Sequence, residues 1–389
     1  MSMAASNSSS VELTGVDGTN PLGFLTALGT LVVARQAGES AACLRWKRVR
    51  TWTPVLDGLT TIVGRDLYER LAAALQGKEI STDADKERAA AQKEFDDAKT
   101  EVKKEREKIK REKISGKEAR NEAIEKRVRP LERKADEKRR KWLEALKDAV
   151  PRPELALGAR IDCTAGEYRE HAREFARAND PASREALCYL AAFGSDACVE
   201  DGDAELRERT ITPTPFCFIR GSGNQNFLDT VRKLLGNVTV DRLTRTLCET
   251  WTYRDKGLSM RWDPSEDKRY ALTDVKPADE GARTVWMANL LAYRALALLP
   301  CAPTRRGLGT TAWAQIDNED VFTWPLWEFA AGPDTVRTML QLRELRETSL
   351  DRAALAARGI GAVFRARRIR FPPKGASYKL NFSPARQLL

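Results

Sequence analysis

The pattern of apolar and polar positions at the start of the chain predicts a strand, a helix and a second strand. Residues 11–16 are typical of a short strand, and residues 22–32 carry apolar side chains at the spacing of one helical face. Asn20 is a favourable helix cap, and Pro21 suits the first helical position, where a missing N–H is harmless. Residues 44–52 alternate as a strand does. The opening of the chain is therefore predicted to form a β-α-β unit.

Residues 83–150 have a different, densely charged pattern. Apolar residues recur there at near-heptad spacing in two stretches, 95–109 and 124–142, on either side of Ser115 and Gly116. This arrangement predicts an antiparallel helical hairpin that turns at the Ser-Gly pair. Because its apolar seam is thin, we expect the hairpin to project from the body, either as a solvated charged arm or as a nucleic-acid contact.

The remainder of the chain is predicted to be mainly helical, with short strands. Thr164 and Glu167 form a capping-box pattern at the start of a helix that runs through Ala178. Apolar periodicity predicts further helices and two strands. The helices are at residues 182–192, 227–235, 240–251, 284–299 and 335–346, and the strands are at residues 258–262 and 269–272.

Together these patterns predict an α+β protein with four regions. They are an N-terminal β-α-β region, a projecting charged antiparallel helical hairpin inserted after it, a mainly helical α+β body, and a basic, aromatic C-terminal segment. The regions span residues 1–82, 83–150, 151–351 and 352–389, respectively. At 389 residues the chain is long enough for more than one compact unit.

The composition adds an unusual charge balance. The formal net charge is +10 and the pI is about 9.3, which favours polyanionic partners, nucleic acid ahead of an anionic membrane surface. The excess is concentrated in residues 83–150 and in the C-terminal segment, which has no acidic residue after Asp351. The positive charge is therefore gathered in two places.

The cysteines and the hydropathy indicate a cytoplasmic protein. The seven cysteines are dispersed, and none forms the Cys-x-x-Cys spacing of a zinc site or a redox motif. Residues 1–10 lack the apolar core of a secretory signal, and the most apolar stretches are too short to span a bilayer. We therefore expect reduced thiols and no membrane partner.

The sequence offers little for catalysis. His171 is the only histidine, and it lies in a predicted helix as an ordinary half-exposed residue would. Asp255 followed by Glu266 and Lys268 is the pattern by which two acids hold Mg²⁺ while a lysine polarises water, although a turn signal precedes Glu266 where this site requires a strand. We expect a non-catalytic protein without a cofactor or metal, and a Mg²⁺-dependent nuclease is the alternative.

Basic and aromatic residues interleave in the strand predicted at residues 44–52. This combination is typical of single-strand binding, in which cations neutralise phosphates and aromatic rings stack on bases. Trp46 and Trp52 are equally consistent with core residues. The candidate cations of this strand are Arg45, Lys47, Arg48 and Arg50.

A Gly-Ser-Gly sequence at residues 221–223 precedes the helix predicted at residues 227–235. Such a loop can hold a phosphate with backbone N–H groups, here with the help of Arg220. It lacks the Gly-Lys-Ser/Thr ending of a P-loop and the full dinucleotide fingerprint. The open alternatives are a plain turn and a contact with a nucleic-acid backbone.

The C-terminal segment carries the strongest binding signal. Its cations interleave with aromatic residues and have no acidic neighbours in sequence, which favours contact with nucleic acid or, failing that, with an acidic protein. The candidate cations are Arg365, Arg367, Arg368, Arg370, Lys374 and Lys379, and the aromatic residues are Phe364, Phe371, Tyr378 and Phe382.

Several blocks of sequence stand out by their order and spacing. They are Asn-Pro-Leu-Gly-Phe-Leu-Thr-Ala-Leu-Gly at residues 20–29, Gly-Ser-Gly at 221–223, Arg-Trp-Asp-Pro at 261–264 followed by Tyr-Ala-Leu at 270–272, the helix ending at 288–300, and Phe-Thr-Trp-Pro-Leu-Trp at 322–327. Together they resemble CRISPR-associated proteins of the type I-G (formerly I-U) effector modules, in the accessory or large-subunit-like group. The resemblance skips the charged hairpin, which looks like an insertion.

The resemblance implies a non-catalytic subunit of a type I CRISPR RNA-guided antiviral interference complex. Such a subunit would contact target DNA or guide RNA and the neighbouring subunits, while the nuclease and helicase activities would belong to another protein. No catalytic residue is carried over. A scaffold that binds only proteins is the third hypothesis.

Overall fold

A computed structural model describes residues 9–112, 114, 116–201, 209–220, 225–266, 283–371 and 379–389 of the chain, without the side chain of Phe371. These residues form both helices and strands, so the α+β class predicted from the sequence is confirmed. Within the same ranges, no helix has both the length and the apolar content that crossing a lipid bilayer requires.

The described helices are α1 (Pro21–Gln36), α2 (Arg65–Gln76), α3 (Thr82–Arg111), α4 (Lys117–Ala123), α5 (Arg129–Asp148), α6 (Ala165–Ala178), α7 (Pro181–Phe193), α8 (Phe227–Leu235), α9 (Val240–Cys248), α10 (Trp286–Arg294), α11 (Pro333–Leu340) and α12 (Arg352–Ala357). The described strands are β1 (Ser9–Glu12), β2 (Cys43–Arg48), β3 (Trp52–Leu59), β4 (Val199–Glu200), β5 (Thr210–Ile211), β6 (Asp255–Lys256), β7 (Arg283–Thr284), β8 (Cys301–Thr304), β9 (Gly307–Thr310), β10 (Trp313–Ile316), β11 (Glu319–Trp327), β12 (Ile360–Phe371), β13 (Lys379–Phe382) and β14 (Arg386–Gln387).

The described residues form two compact units. The first contains those within Met1–Gly77, Leu187–Gly194 and Pro213–Leu389, and the second contains those within Lys78–Ala186 and Ser195–Thr212. The predicted hairpin lies in the second unit, whereas the basic C-terminal segment lies in the first.

Helix α1 is buried along almost its whole length within the first unit. Every residue from Pro21 to Ala34 is buried, as expected for a helix with apolar side chains on all its faces. The predicted cap is confirmed, because Asn20 Oδ1 accepts a hydrogen bond of 2.8 Å from the N–H of Leu22. The local sequence thus sets where α1 begins, and the surrounding elements cover all its faces.

Helices α1 and α10 approach each other closely at Gly29. A Cβ atom at this position would lie 1.7 Å from the carbonyl oxygen of Leu291, so the approach requires glycine. One turn earlier, the Thr26 hydroxyl lies 3.1 Å from the carbonyl oxygen of Ala288. The two helices are therefore in backbone contact rather than separated by side chains.

The N-terminal sheet has three antiparallel strands in the order β1-β3-β2. The sequence predicted one strand over residues 44–52, and this prediction is wrong. Strand β2 ends at Arg48, and the chain turns back so that Arg48 pairs with Trp52, the first residue of β3. Residues 47–51 are all exposed, so no core contact holds them in a single extended strand.

A second antiparallel sheet contains five strands. Strands β10, β11, β12 and β13 follow in that order, and β14 also pairs with β12. The sequence did not predict these strands. The long central strand β12 takes up much of the segment that was predicted only as basic and aromatic.

Aromatic side chains join α1 to both sheets. Phe24 of α1 stacks on Trp46 of β2 and on Trp324 of β11, with ring centroids 5.8 Å apart in each pair. The indole N–H of Trp324 donates to the carbonyl oxygen of Gly18 at 2.9 Å. These contacts fix the chain just before α1 beside the second sheet.

The helical hairpin is confirmed in the second unit. Helix α3 packs antiparallel against α5 around a buried apolar cluster, and Phe95 stacks on Trp142 with centroids 5.6 Å apart. Ion pairs between the two helices follow the antiparallel register. They are Glu94–Lys138 (2.6 Å) and Glu101–Lys134 (3.1 Å), and Glu105 of α3 also pairs at 2.5 Å with Arg127, which lies just before α5.

Helix α6 begins and ends where the sequence predicts. The Thr164–Glu167 capping box is present, and the helix spans Ala165–Ala178. Glu167 also forms an ion pair with Arg139 of α5. One carboxylate therefore caps α6 and joins it to the hairpin.

The other predicted elements agree in part. Helix α8 has the predicted bounds, and α7, α9, α10 and α11 overlap their predicted ranges with shifted ends. The strand predicted at residues 258–262 is wrong because this segment is irregular: the N–H of Met260 donates to the side chain of Asn289 at 2.8 Å, not to a strand partner. The strand predicted at residues 269–272 lies outside the described residues.

Glu39 is a buried carboxylate that joins the end of α1 to the end of β3. It accepts hydrogen bonds from the N–H of Thr60 (2.6 Å) and from the hydroxyl groups of Thr60 (2.8 Å) and Thr61, and it pairs with Arg70 at 3.3 Å. Burial alone would raise the pKa of Glu39, but the hydrogen bonds from Thr61 and Thr60 outweigh it and lower the pKa to about 2.

We predict that Gly29→Ala destabilises the first unit by about 3 kcal/mol, because the added methyl group overlaps the Leu291 carbonyl and one helix must move. Urea titration measures the change in the free energy of unfolding. Gly236→Ala is the control, since a Cβ there meets no atom closer than 3.6 Å, and it should change stability by less than about 1 kcal/mol. Equal stabilities of the two variants would contradict the backbone contact.

We predict that Glu39→Gln costs about 1–3 kcal/mol at pH 7, because it replaces a charged acceptor in a buried network. The folded pKa of Glu39, about 2, lies below the ordinary value of 4.5. Its stabilising contribution is therefore complete above the ordinary value and is lost as the pH falls toward 2. Unfolding measured between pH 7 and pH 3 should show the variant and the parent converging. Glu328→Gln, at an exposed site, should show no such trend, and a pH-independent gap for Glu39→Gln would refute the prediction.

Candidate nucleic-acid interface

The turn between β2 and β3 presents two arginines to solvent. Arg48 is the last residue of β2, Arg50 follows in the turn, and both are exposed. Neither side chain forms a hydrogen bond or an ion pair with any residue in the described ranges. Binding of an anion by their guanidinium groups therefore breaks no contact with the described residues.

The two arginines border a cleft of about 580 Å³. Its lining comes from five parts of the first unit: the loop before α1, the β2–β3 turn, the segment that follows Trp262, strand β12 and the last residues of the chain. The polar groups that matter most are those of Asp17, Asn20, Asp263 and Gln387. Only the folded chain brings these parts together.

A buried carboxylate fixes one part of the cleft. Asp263 Oδ1 accepts hydrogen bonds from the side-chain amide of Asn20 (3.0 Å) and from the N–H (2.9 Å) and hydroxyl (2.8 Å) of Ser265, and Oδ2 accepts from the hydroxyl of Tyr253 (2.8 Å). These four donors engage both oxygens of the carboxylate. Because Asn20 also caps α1, the network ties the start of this helix to residues 263–265.

The hydroxyl of Tyr253 remains a donor over the whole physiological pH range. Burial raises the pKa of Tyr253, and the negative charge of Asp263 raises it further. The neutral phenol can therefore keep its hydrogen bond to Asp263.

Asp17 is the second carboxylate of the cleft, and it is less buried. It accepts hydrogen bonds from the N–H (3.0 Å) and the hydroxyl (2.9 Å) of Thr19. A carboxylate has about four acceptor positions, so Asp17 keeps some of its capacity. The cleft thus combines two open cations with one carboxylate that can still accept hydrogen bonds.

The other two candidate cations of β2 are paired within the N-terminal sheet. Arg45 Nε lies 2.7 Å from Asp57 Oδ2, and Lys47 Nζ lies 2.7 Å from Glu12 Oε1. The Lys47–Glu12 pair is exposed, and exposed pairs are weak, about 0–1 kcal/mol, so a phosphate can compete for it; the Arg45–Asp57 pair is partly buried. Both cations are thus less available than Arg48.

Two C-terminal arginines find their acidic partners on the neighbouring strand. Arg367 Nη1 lies 2.7 Å from Glu319 Oε1, and Arg368 pairs with Asp320 while its guanidinium lies over the ring of Trp313. The C-terminal segment has no acidic residue of its own, but the carboxylates of the first two residues of β11 balance the positive charges of Arg367 and Arg368.

Arg365 is half-buried within the first unit. Its Nε donates to the hydroxyl of Thr323 at 2.8 Å, and Nη2 donates to the carbonyl oxygen of Glu347 at 2.7 Å. Burial lowers the pKa of Arg365, and the charge of Arg386 lowers it further. Its role in the described structure is to hold the chain after α11 against the sheet.

The remaining candidate cations do not share the cleft. Arg220, Arg370 and Lys379 are exposed, and Arg370 and Lys379 lie near the end of the β12–β13 ladder. Lys374 and the Gly-Ser-Gly loop lie outside the described residues. Of the predicted cations that the structure describes, only Arg48 and Arg50 line the cleft.

The aromatic residues predicted as stacking candidates belong to the core where their side chains are described. Trp46 and Phe382 are fully buried, and Trp52 and Phe364 each retain 5% exposure. Tyr378 lies outside the described residues. The cations and aromatic residues interleave because successive side chains of a strand point to opposite faces of the sheet, with the aromatic residues toward the core. Trp52 and Phe364 nevertheless line the cleft.

The residues of the alternative nuclease site have structural roles. Asp255 Oδ2 accepts from the N–H of Trp286 at 2.8 Å, which caps α10. Glu266 is buried and accepts from the hydroxyl groups of Ser259 and Thr284, and burial raises its pKa to about 7 although these hydrogen bonds oppose the change. Lys268 lies outside the described residues. No group of three or more metal-binding side chains occurs among those that are described.

His171 is an ordinary helix residue, as predicted. It lies in α6, half-buried, with its ring centroid 6.0 Å from that of Phe175. Burial lowers the pKa of His171, and the neighbouring carboxylate of Glu174 opposes this. The histidine is therefore mainly neutral at pH 7.

Asp17, Asp263 and Gln387 were not predicted as site residues. Asp263 stands out in the sequence only within the Arg-Trp-Asp-Pro block. An Asp two residues before a serine is typical of a turn in which the side chain accepts from the following backbone, and this pattern was available. Nothing in the sequence indicates that the same carboxylate also binds Asn20 and Tyr253.

Comparison of the sequence with protein-family models and with curated proteins found no match.

Proposed function

We propose that this chain is a non-catalytic nucleic-acid-binding subunit of a type I CRISPR RNA-guided antiviral interference complex. Guide RNA or target DNA and the other subunits of the complex would be its partners, and the cytoplasm its location. The observation that carries the binding role is the pair of exposed arginines, Arg48 and Arg50, without partners among the described residues and beside a cleft. The place in a CRISPR complex rests on the sequence resemblance.

The charge distribution supports a graded contact with phosphates. Arg48 and Arg50 have no ion pair with any described residue that binding would break. Lys47 and Arg367 are in exposed pairs that exchange at little cost, whereas Arg368 and Arg365 hold more buried contacts. The net charge of +10 supplies a general attraction that falls with salt. The strongest contact is therefore expected at the β2–β3 turn and not along the whole C-terminal segment.

The contacts of the two acids of the alternative nuclease site support leaving catalysis to another subunit. Asp255 and Glu266 are engaged in capping and in a buried hydrogen-bond network, so they are poorly placed to hold Mg²⁺ and activate water. Sequence would be read by the guide, and this subunit would supply electrostatic capture of the backbone.

We predict that Arg48→Gln/Arg50→Gln weakens the binding of a single-stranded oligonucleotide and makes the slope of log K against log salt less negative by about 1.4, since each phosphate contact contributes about −0.7. Fluorescence anisotropy at several salt concentrations measures this. Arg45→Gln/Arg367→Gln removes the same charge from two paired positions and should change the slope less. Equal effects would mean a diffuse attraction instead of a contact at the turn. No binding even at low salt would overturn the proposal and favour a protein-only scaffold.

We predict that the chain, expressed from its native gene neighbourhood, co-purifies with a small RNA of discrete length and with other proteins at fixed stoichiometry, as an effector-complex subunit does. Denaturing gel analysis of the purified material shows both. Recovery of the chain alone, with no RNA, would overturn its place in a CRISPR complex while leaving the binding test above unaffected.

A further inference from the structure

We infer that the cleft at the start of α1 is a binding site for one unpaired nucleotide of a bound single-stranded nucleic acid. Its phosphate would lie at Arg48 and Arg50, and its sugar or base edge at Asp17. The inference rests on the proposed nucleic-acid binding and deepens it. The proposed function requires only contact with the sugar-phosphate backbone, and the inference adds a pocket that holds one nucleotide.

The size of the cleft fits a small ligand. Its volume of about 580 Å³ lies within the range of about 300–1,000 Å³ that is usual for small-molecule sites. A duplex cannot enter a space of this size. A nucleic acid can therefore occupy the cleft only by inserting a single unstacked nucleotide.

The polarity of the cleft favours a nucleotide over a bare anion. The formal charges of Arg48 and Arg50 are balanced by those of Asp17 and Asp263, so phosphate alone gains little from the whole cleft. A nucleotide carries an anionic phosphate and also hydroxyl or amino donors. The phosphate suits the arginines, and the donors suit the free acceptor positions of Asp17.

The apolar part of the lining suits a base. Trp52 and Phe364 line the cleft, and both side chains are held in place by packing. Trp52 lies against Gly361, where a Cβ atom would come within 3.0 Å of the indole ring. Aromatic and proline side chains beside a polar rim are typical of sites that take a flat, partly polar ligand.

Hydrogen bonds within the chain fix one wall of the site. Asp263 holds Asn20, Tyr253 and Ser265 through the hydrogen bonds described above, and Asn20 caps α1. Rigid walls reduce the entropy that binding must remove. The arginines in the exposed turn are the part that remains free to adjust.

The test uses the full chain with adenosine 5′-monophosphate, uridine 5′-monophosphate and inorganic phosphate as separate probes in calorimetric titrations. We expect the nucleotides to bind at least about tenfold more tightly than phosphate, the effect of one additional hydrogen bond to a charged group. Asp17→Asn should reduce nucleotide affinity about tenfold and should leave phosphate binding equal or stronger. Phosphate that binds as tightly as the nucleotides, or an Asp17→Asn variant with unchanged nucleotide affinity, would overturn the inference.

A second variant fills the cleft without changing charge. Ala385 lines the cleft and is partly exposed, so Ala385→Trp should abolish mononucleotide binding. Ala302→Trp, at an exposed site on β8, is the matched control and should bind normally, and the urea transition of each variant reports folding. Undiminished nucleotide binding by a folded Ala385→Trp variant would also overturn the inference.

Failure of the cleft site and failure of the proposed function give different results. Salt-sensitive oligonucleotide binding without mononucleotide binding would remove the cleft site and leave the proposed function intact. Mononucleotide binding without oligonucleotide binding would keep the cleft as a nucleotide site and remove the proposed function.

Discussion

The backbone contact between α1 and α10 at Gly29 is the constraint on which the first unit depends. It buries both helices without intervening side chains, so the remaining faces of α1 must be covered by the aromatic residues of two sheets. Phe24 links the N-terminal sheet to β11, although the two are far apart in sequence. The packing of α1 against α10 and between the two sheets therefore sets where the N-terminal sheet lies within the first unit.

The same insertion creates the cleft. A helix buried on all its faces has a buried start, and the groups there need partners. Asn20 satisfies two of the N–H groups of the first turn and is itself held by Asp263, which in turn orders Ser265 and Tyr253. The polar network required to bury the helix start therefore also supplies a rigid, polar wall beside Arg48 and Arg50.

The sequence predicted correctly those elements whose signals lie in residues close to one another along the chain. The Asn20–Pro21 start and the Thr164–Glu167 box depend on residues within one helical turn, and the hairpin was recognised from the heptad spacing within each of its helices. All three were predicted correctly. Strand β12 was missed because arginine after arginine is typical of a solvated tail, and the acids that compensate them lie 48 residues earlier. Of the charged side chains of the cleft, only Arg48 and Arg50 were predicted as binding residues, since its carboxylates act through contacts across the fold.

The pairing of β12 with β11 has a consequence for how such a surface can evolve. Arg367 and Arg368 are compensated by Glu319 and Asp320, two adjacent residues at the beginning of one strand. Neutral residues at these two positions would leave the backbone ladder intact and release two cations. A homologue could thus widen its electropositive area through changes in a single dipeptide, with no new basic residue and no change of fold.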